Sequence, residues 1–182
     1  MKRIDAEASH IEHIKPEALC RADRTGSDLE YTNLVACFPA EGMKGRYRYG
    51  AQLKDDWWED GGFTFVSPLH PACESRFRFG LDGGISAVNN HPKAVTTIRV
   101  LGLDHCSLTE DRKRVIDEFI FGPTGNTPLS KAQAARAITG LSHRNGEGHF
   151  REFCVAISHA LEAYRKTLAR NARRRWFARR RG

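Results

Sequence analysis

The chain has 182 residues, of which 40% are apolar and 28% charged, and its formal net charge at pH 7 is +7. This length suits one domain, or a small domain with a helical extension, and it is enough to bury a core. No apolar run approaches the roughly 20 residues that a membrane span needs, and the opening Met1-Lys2-Arg3-Ile4-Asp5 lacks the apolar segment of a signal peptide. We therefore expect a cytoplasmic protein.

Near the N-terminus, Ser9-His10-Ile11-Glu12-His13-Ile14-Lys15-Pro16 combines imidazole and carboxylate groups in a short stretch. Polar and apolar residues alternate, which predicts a strand with His10 and Glu12 on one face and Ile11 and His13 on the other. A bend at Pro16 would bring Glu12 and His13 to one cation and its water. Phosphodiester hydrolysis at a single cation needs a neutral imidazole as base, a hard oxygen ligand, and a group that orients the imidazole.

The orienting group predicted here is the side-chain amide of Asn33, on a helix that follows a polar loop over residues 17–30. With this residue in place, the stretch resembles the HNH endonucleases. Members of that family carry an acidic residue followed by His at the end of the first strand of a ββα-metal site, with Pro three residues beyond. The resemblance implies that His13 is the general base, Glu12 the first ligand of Mg²⁺ or Mn²⁺, and Asn33 the residue that orients the loop.

The resemblance covers roughly residues 3–121 and is closest to HNH nucleases found beside ATPases in retron and Septu-type anti-phage systems. Its further matches are Tyr49-Gly50-Ala51-Gln52-Leu53-Lys54-Asp55-Asp56-Trp57-Trp58, Ser67-Pro68-Leu69, Cys73-Glu74, Phe77-Arg78-Phe79 and Gly84-Ile85. It implies DNA cleavage in defence against phage, with an ATPase as partner protein. For the third ligand of the cation, the segment from Gly50 offers Gln52, whose amide oxygen suits a hard cation.

The cysteines depart from that subfamily, whose members hold a structural zinc with a Cys-x-x-Cys upstream of the histidines and further cysteines after the Asn. Here no such pair precedes His10, and the five cysteines are an odd number without a CxxC, which argues against a disulfide scaffold. Cys37 and Cys73 are candidate remnants of a zinc site, but two thiolates need two more ligands. We expect either an N-terminally shortened copy or a subgroup without zinc.

Short strands are predicted at 63–66, 76–79 and 85–88, the last two joined by a turn over residues 80–84. Helical spacing begins after Pro92, and a second helix carries Val115, Ile116, Phe119 and Ile120 on one face, with Ser107 or Thr109 as its cap. The segment 122–128 is the clearest break. We predict a nuclease domain over residues 1–121 and a helical extension over 122–182.

The extension is predicted to contain a helix over 130–141 and a last helix that begins near Glu147 with an apolar stripe from Phe150 to Leu168. Residues 161–182 carry nine basic residues against one acidic, which leaves the rest of the chain near neutral. Such a cluster, with Trp176 inside it, suits a phosphate backbone, although a solvated helix end or a dock for an acidic protein also fits. The candidate nucleic-acid-binding residues are Arg173, Arg174, Arg175, Arg179, Arg180 and Arg181.

Together these patterns predict an α+β protein with a ββα-metal (HNH, or His-Me finger) core, a small antiparallel sheet and a helical C-terminal part. Its predicted function is metal-dependent endonucleolytic cleavage of DNA, with RNA as an open alternative substrate. A second hypothesis is a non-catalytic nucleic-acid-binding or ATPase-adaptor protein derived from a nuclease, and a third is a zinc-binding interaction module. No Walker-type phosphate loop is present, so ATPase activity would reside in another chain.

Overall fold

The computed structural model describes residues 9–24, 26–38, 48–59 and 64–179, except for the side chains of residues 175, 177 and 179. It has an α+β fold made of helices and small antiparallel sheets, as predicted. The strands are β1 (His10–His13), β2 (Leu34–Cys37), β3 (Phe77–Phe79) and β4 (Ile85–Ala87). The helices are α1 (Glu17–Asp23), α2 (Ala51–Lys54), α3 (Pro92–Leu101), α4 (Cys106–Phe121), α5 (Lys131–Leu141) and α6 (Cys154–Arg179).

The chain forms two compact units. The N-terminal unit comprises Lys2–Arg78 and Ile85–Cys106, and the C-terminal unit comprises Phe79–Gly84 and Ser107–Gly182. The β3–β4 hairpin therefore has its base in the first unit and its tip in the second. The predicted boundary after residue 121, which separates a nuclease domain from an extension, stays a prediction.

In the N-terminal unit, β1 pairs antiparallel with β2, and the short helix α2 is anchored to α3. Pro92 occupies the first turn of α3, as predicted, and Gly102 ends that helix in the left-handed conformation at φ 54°. A Cβ at Gly102 would lie 2.7 Å from the Leu53 side chain and 3.1 Å from the Arg48 carbonyl oxygen. The Gly50 amide donates to the Leu101 carbonyl at 2.7 Å, so the turn before α2 is fixed on the end of α3.

In the C-terminal unit, α4, α5 and α6 bury one apolar core. Its buried members lie in these three helices, apart from Phe153, which precedes α6: Ile116, Ile120, Ala134, Leu141, Phe153, Ala156, Ile157, Ala160 and Leu161. Helix α5 begins with a capping box, in which the Ser130 hydroxyl accepts from the Gln133 amide and the Gln133 side chain accepts from the Ser130 amide. The tip of the β3–β4 hairpin is held by the buried Arg112, whose guanidinium donates to the Gly83 carbonyl at 2.6 Å.

Two predicted elements in the first forty residues were wrong. Residues 17–30 are not a polar loop throughout, because α1 forms over Glu17–Asp23 with Cys20 buried and a Glu17–Arg21 ion pair one turn apart. Asn33 does not lie in an α-helix but ends a single 3₁₀ turn, Tyr31–Asn33, that leads directly into β2. The polar surface of α1 hid its helical pattern, and the strand after Asn33 is too short to show a period.

Further along the chain, β3, β4, α3, α4 and α5 confirm the predicted strands and helices, but other details differ. Residues 64–66 of the predicted strand 63–66 form no strand, while residue 63 lies outside the described residues. Helix α4 already begins at Cys106, so Ser107 and Thr109 are inside it rather than at its cap. Helix α6 begins at Cys154 rather than near Glu147, since Phe153 has a φ of 54° and Asn145 closes a turn by accepting from two backbone amides.

Candidate active site

The candidate site is built on the β1–β2 pair. His10 lies opposite Cys37, Glu12 opposite Val35, and His13 opposite Leu34. The alternation of faces holds as predicted. The His10 imidazole Nε2 lies 3.5 Å from a carboxylate oxygen of Glu12, and the side chain of Ile11, between them in sequence, is 69% exposed.

Asn33 joins the end of β1 to the loop that follows it. Its side-chain Oδ1 accepts from the Lys15 amide at 2.7 Å, and its Nδ2 donates to the carbonyl oxygens of Lys15 at 3.2 Å and Ser27 at 3.1 Å. Nδ2 also lies 3.5 Å from the Cys20 sulfur. Asn33 is 8% exposed, so these bonds are largely shielded from water. One amide thus fixes two backbone segments of the turn from opposite sides.

His13 is oriented by the same loop. Its Nε2 lies 3.0 Å from the carbonyl oxygen of Asp28, which follows Ser27, the residue bonded to Asn33. A carbonyl oxygen only accepts, so Nε2 carries the proton. In a neutral imidazole the lone pair then resides on Nδ1, which makes Nδ1 the atom able to take a proton. Sequence reasoning missed Asp28 because a backbone carbonyl leaves no signal in the residue type.

The Glu12 carboxylate is bracketed by two nitrogen groups, His10 Nε2 and Lys54 Nζ, each at 3.5 Å. Its side chain is 24% exposed, whereas Lys54 is only 4% exposed. Both distances exceed those of a strong charge-assisted hydrogen bond, so the carboxylate oxygens keep capacity for a further partner. Lys54 reaches this position from α2, at a separation of 42 residues from Glu12.

Cys37 lies in the same neighbourhood. The pKa of its thiol is raised to about 11, first by burial and then by the Glu12 charge, while the Lys54 charge opposes both effects. Burial also raises the pKa of Cys73. All five cysteines are free in the structure. Cys37 and Cys73 as zinc ligands stay a prediction, and a protonated thiol is a poor ligand.

Gln52, the predicted third ligand, is half-buried in α2, two residues before Lys54. Residues two apart on a helix do not share a face, so the helix that aims Lys54 at Glu12 turns Gln52 in another direction. Its role as a ligand stays a prediction.

The donors present suit some cations better than others. Among the described residues, no three side chains of His, Cys, Asp or Glu come together as a ready metal site. A structural zinc needs four such ligands, whereas Mg²⁺ is commonly held by one or two carboxylates, with water and substrate phosphate as the other ligands. The partly exposed Glu12 carboxylate beside His10 fits the second kind of site.

The predicted nucleic-acid-binding residues lie at the end of α6, remote in sequence from His13. Arg173 and Arg174 are exposed on this helix. Arg175 and Arg179 belong to it as well, but their side chains, and the whole of Arg180 and Arg181, lie outside the described residues. No helix in the described part of the chain is long and apolar enough to cross a membrane.

Glu12 and His13 end β1, and Asn33 lies in the 3₁₀ turn before β2. The sequence that carries them can be compared with known proteins. The chain is 27% identical over 125 residues to a protein of Vibrio cholerae serotype O1 biovar El Tor described as "Retron Vc95 putative HNH endonuclease". This similarity supports an HNH-type family. The match covers 66% of this chain and 57% of its HNH-type relative, so the chain spans little more than half the relative's length. No family model matches the chain.

Proposed function

We propose that the chain is an HNH-type endonuclease that hydrolyses phosphodiester bonds in DNA with the help of Mg²⁺ or Mn²⁺. The observation that carries this proposal is the hydrogen bond from His13 Nε2 to the Asp28 carbonyl at 3.0 Å. The residue before His13 is Glu12, whose carboxylate is partly exposed. It fixes both the tautomer and the direction of an imidazole, which is what a general base requires. The similarity to a retron HNH protein supports the same function.

In this mechanism His13 Nδ1 takes a proton from water, and the resulting hydroxide attacks phosphorus while the bond from phosphorus to the 3′ oxygen breaks. The products are a 5′-phosphate and a 3′ alkoxide, which takes a proton from solvent water. The Nε2 proton stays on the ring and remains hydrogen-bonded to the Asp28 carbonyl, so the imidazole becomes a cation without turning. Asn33 keeps the loop that carries Asp28 and the turn after His13 in register. Glu12 would hold the divalent cation, with water and substrate phosphate as further ligands. A bound cation neutralises charge on the phosphate and on the leaving 3′ oxygen.

The basic end of α6 is proposed to bind the phosphate backbone without regard to sequence. Seven arginines lie in residues 170–181, and three of them, Arg170, Arg173 and Arg174, are exposed in the described part of the chain. Charge reversal at Arg173 and Arg174 should weaken DNA binding and flatten its salt dependence, with a slope change of roughly one for each phosphate that is no longer neutralised. An unchanged slope would contradict this role. Following the subfamily that the sequence resembles, we place the activity in anti-phage defence beside an ATPase partner.

The deciding experiment is cleavage of supercoiled plasmid with Mg²⁺ or Mn²⁺ by the wild-type chain, by His13→Ala, and by His143→Ala as a matched control on an exposed histidine. We expect nicking or linearisation that stops with EDTA and falls about 100-fold or more in His13→Ala, because general-base catalysis contributes that much. His143→Ala should retain wild-type activity.

Equal cleavage by His13→Ala and wild type would refute the role of His13. Absence of cleavage by the wild-type chain under every condition, also with a candidate ATPase present, would favour the non-catalytic nucleic-acid-binding or adaptor hypothesis.

A further inference from the structure

Lys54 has no role in the function proposed so far, yet it contacts both residues on which that function depends. Its ammonium lies 3.1 Å from the His13 carbonyl oxygen, 3.5 Å from a Glu12 carboxylate oxygen and 3.3 Å from the carbonyl oxygen of Asp55. We propose that Lys54 is a positioning residue, which holds the end of β1 so that the Glu12 carboxylate and the His13 imidazole keep one relative placement. This inference rests on the proposed function.

The burial of Lys54 argues for a specific internal role. At 4% exposure the ammonium cannot serve as a surface contact for phosphate, and burying a charge is unfavourable unless it is paired and hydrogen-bonded. An ammonium has three donors, and three oxygens surround this one. Two of them belong to the adjacent residues Glu12 and His13, so the contacts fix backbone and side chain of one dipeptide together.

Asp55 supplies a second, independent observation. Its φ of 45° and ψ of −132° are a conformation that residues other than glycine rarely adopt. Such a conformation persists only where its surroundings hold it in place. Here it turns the Asp55 carbonyl back toward Lys54 Nζ. The chain thus departs from ordinary backbone geometry at the residue that completes the ammonium's set of acceptors.

The neighbouring backbone gives Lys54 a rigid support. Gly50, at φ 74°, starts α2 and donates its amide to the Leu101 carbonyl at the end of α3. Gly102 allows the close approach of the Leu53 side chain. Because α2 cannot shift along α3 without breaking these contacts, the Lys54 ammonium has a fixed position. Its bonds to Glu12 and His13 therefore hold the end of β1 in place.

The proposal predicts an unusual separation of effects in Lys54→Met. The neutral side chain leaves the His13 carbonyl without its donor, so the imidazole should lose its single orientation and the cleavage rate should fall at least about tenfold. Removal of a positive charge 3.5 Å from Glu12, however, should leave Mn²⁺ binding as tight as in wild type or tighter. A general loss of structure would instead weaken both.

The experiment compares wild type, Lys54→Met, Lys54→Arg and the control Lys113→Met, which removes an exposed lysine paired with Asp117 in the C-terminal unit. Three quantities are measured: the plasmid cleavage rate, Mn²⁺ affinity by calorimetry, and the His13 ring nitrogen signals by NMR, assigned with His13→Ala. Wild type and Lys113→Met should show the proton on Nε2. Lys54→Met should show mixed tautomers, and Lys54→Arg, which keeps the donors, should restore part of the wild-type signal.

Folded Lys54→Met with an unchanged His13 signal would overturn the proposal, as would a rate loss explained entirely by weaker Mn²⁺ binding. If Lys54→Met does not fold, Lys54→Arg still decides. A folded Lys54→Arg chain with no cleavage and no preference for the proton on His13 Nε2 would count against positioning through hydrogen bonds. If the wild-type chain cuts no nucleic acid, the proposed function fails, while the NMR comparison still tests whether Lys54 orients His13.

Discussion

Asn33→Ala offers the most direct test of how the candidate site is held together. The substitution removes every bond of the side-chain amide, but the groups it leaves behind are affected unequally. The Lys15 carbonyl keeps the Cys20 thiol as a donor at 3.6 Å, and the Ser27 carbonyl keeps the Glu30 amide at 3.3 Å. The Lys15 amide loses its 2.7 Å bond to a side chain that is 8% exposed.

One shielded donor left unsatisfied costs about 1–3 kcal/mol, and removal of each remaining hydrogen bond adds about 0.5–1.5 kcal/mol. With the two bonds from Nδ2 to carbonyl oxygens counted, we expect Asn33→Ala to lower the free energy of unfolding by about 2–6 kcal/mol, a large part of the roughly 5–15 kcal/mol of an ordinary domain. Urea unfolding followed by circular dichroism measures it, with Asn126→Ala, an exposed loop position, as the control expected within about 0.5 kcal/mol of wild type.

Asn33→Asp separates the two halves of the amide. The carboxylate keeps an acceptor for the Lys15 amide but presents oxygens to the carbonyls of Lys15 and Ser27, where the amide had donors. It should therefore destabilise the chain despite its identical shape, and hydrogen exchange at the Lys15 amide should stay slower than in Asn33→Ala. This account of the turn would be refuted if Asn33→Asp left the free energy of unfolding unchanged. It would also be refuted if Asn33→Ala were no less stable than Asn126→Ala.

Three further predictions concern backbone, cap and thiol chemistry. Gly83→Ala should destabilise the chain by at least about 2 kcal/mol more than Gly125→Ala in urea unfolding. Both glycines have φ above 70°, so the backbone strain is similar, but a Cβ at Gly83 would lie 2.2 Å from a backbone oxygen while one at Gly125 would enter open space. Ser130→Ala should cost about 1 kcal/mol and speed hydrogen exchange in the first turn of α5; unchanged exchange would speak against the capping box. At pH 8, iodoacetamide should modify Cys106, which is exposed, faster than Cys37, whose pKa is raised to about 11; peptide mass spectrometry reports the order, and equal rates would contradict the shift.

The same thiol gives a pH dependence of stability. Its pKa in the folded chain, about 11, lies above the ordinary 9.0, so the unfolded chain loses this proton first as pH rises. The stabilising contribution is therefore complete below pH 9 and lost between pH 9 and 11. Cys37→Ala should show a weaker decline of the unfolding free energy over that interval than wild type.

Much of the fold could be predicted because its signals are local. The Gly-rich turn between β3 and β4, Pro92 at the start of α3 and Ser130 at the start of α5 each act on their neighbours in sequence. The alternation in β1 likewise predicted that His10 and Glu12 share a face.

The rest of the candidate site depends on contacts over long sequence separations. The side chain of Lys54 contacts Glu12 and His13, which lie 42 and 41 residues away in sequence, and no pattern within the short helix α2 predicts these contacts. The carbonyl of Asp28 acts through the backbone, which every residue type possesses. The residue types at the centre of the site are thus readable in the sequence, but the groups that orient them emerge only when the chain is folded.

The division of the β3–β4 hairpin limits how this protein can be dissected. Neither unit is one continuous segment, because the tip, Phe79–Gly84, belongs with α4 to α6 while the strands that carry it continue into the other unit. A fragment ending before α4 would retain the tip without Arg112, exposing the Phe79 ring that the guanidinium covers and leaving the Gly83 carbonyl without that donor. During synthesis on the ribosome, Gly83 likewise emerges almost thirty residues before Arg112, so the tip cannot form its native contacts until Arg112 has been made. Functions are therefore better assigned here by point substitution than by truncation.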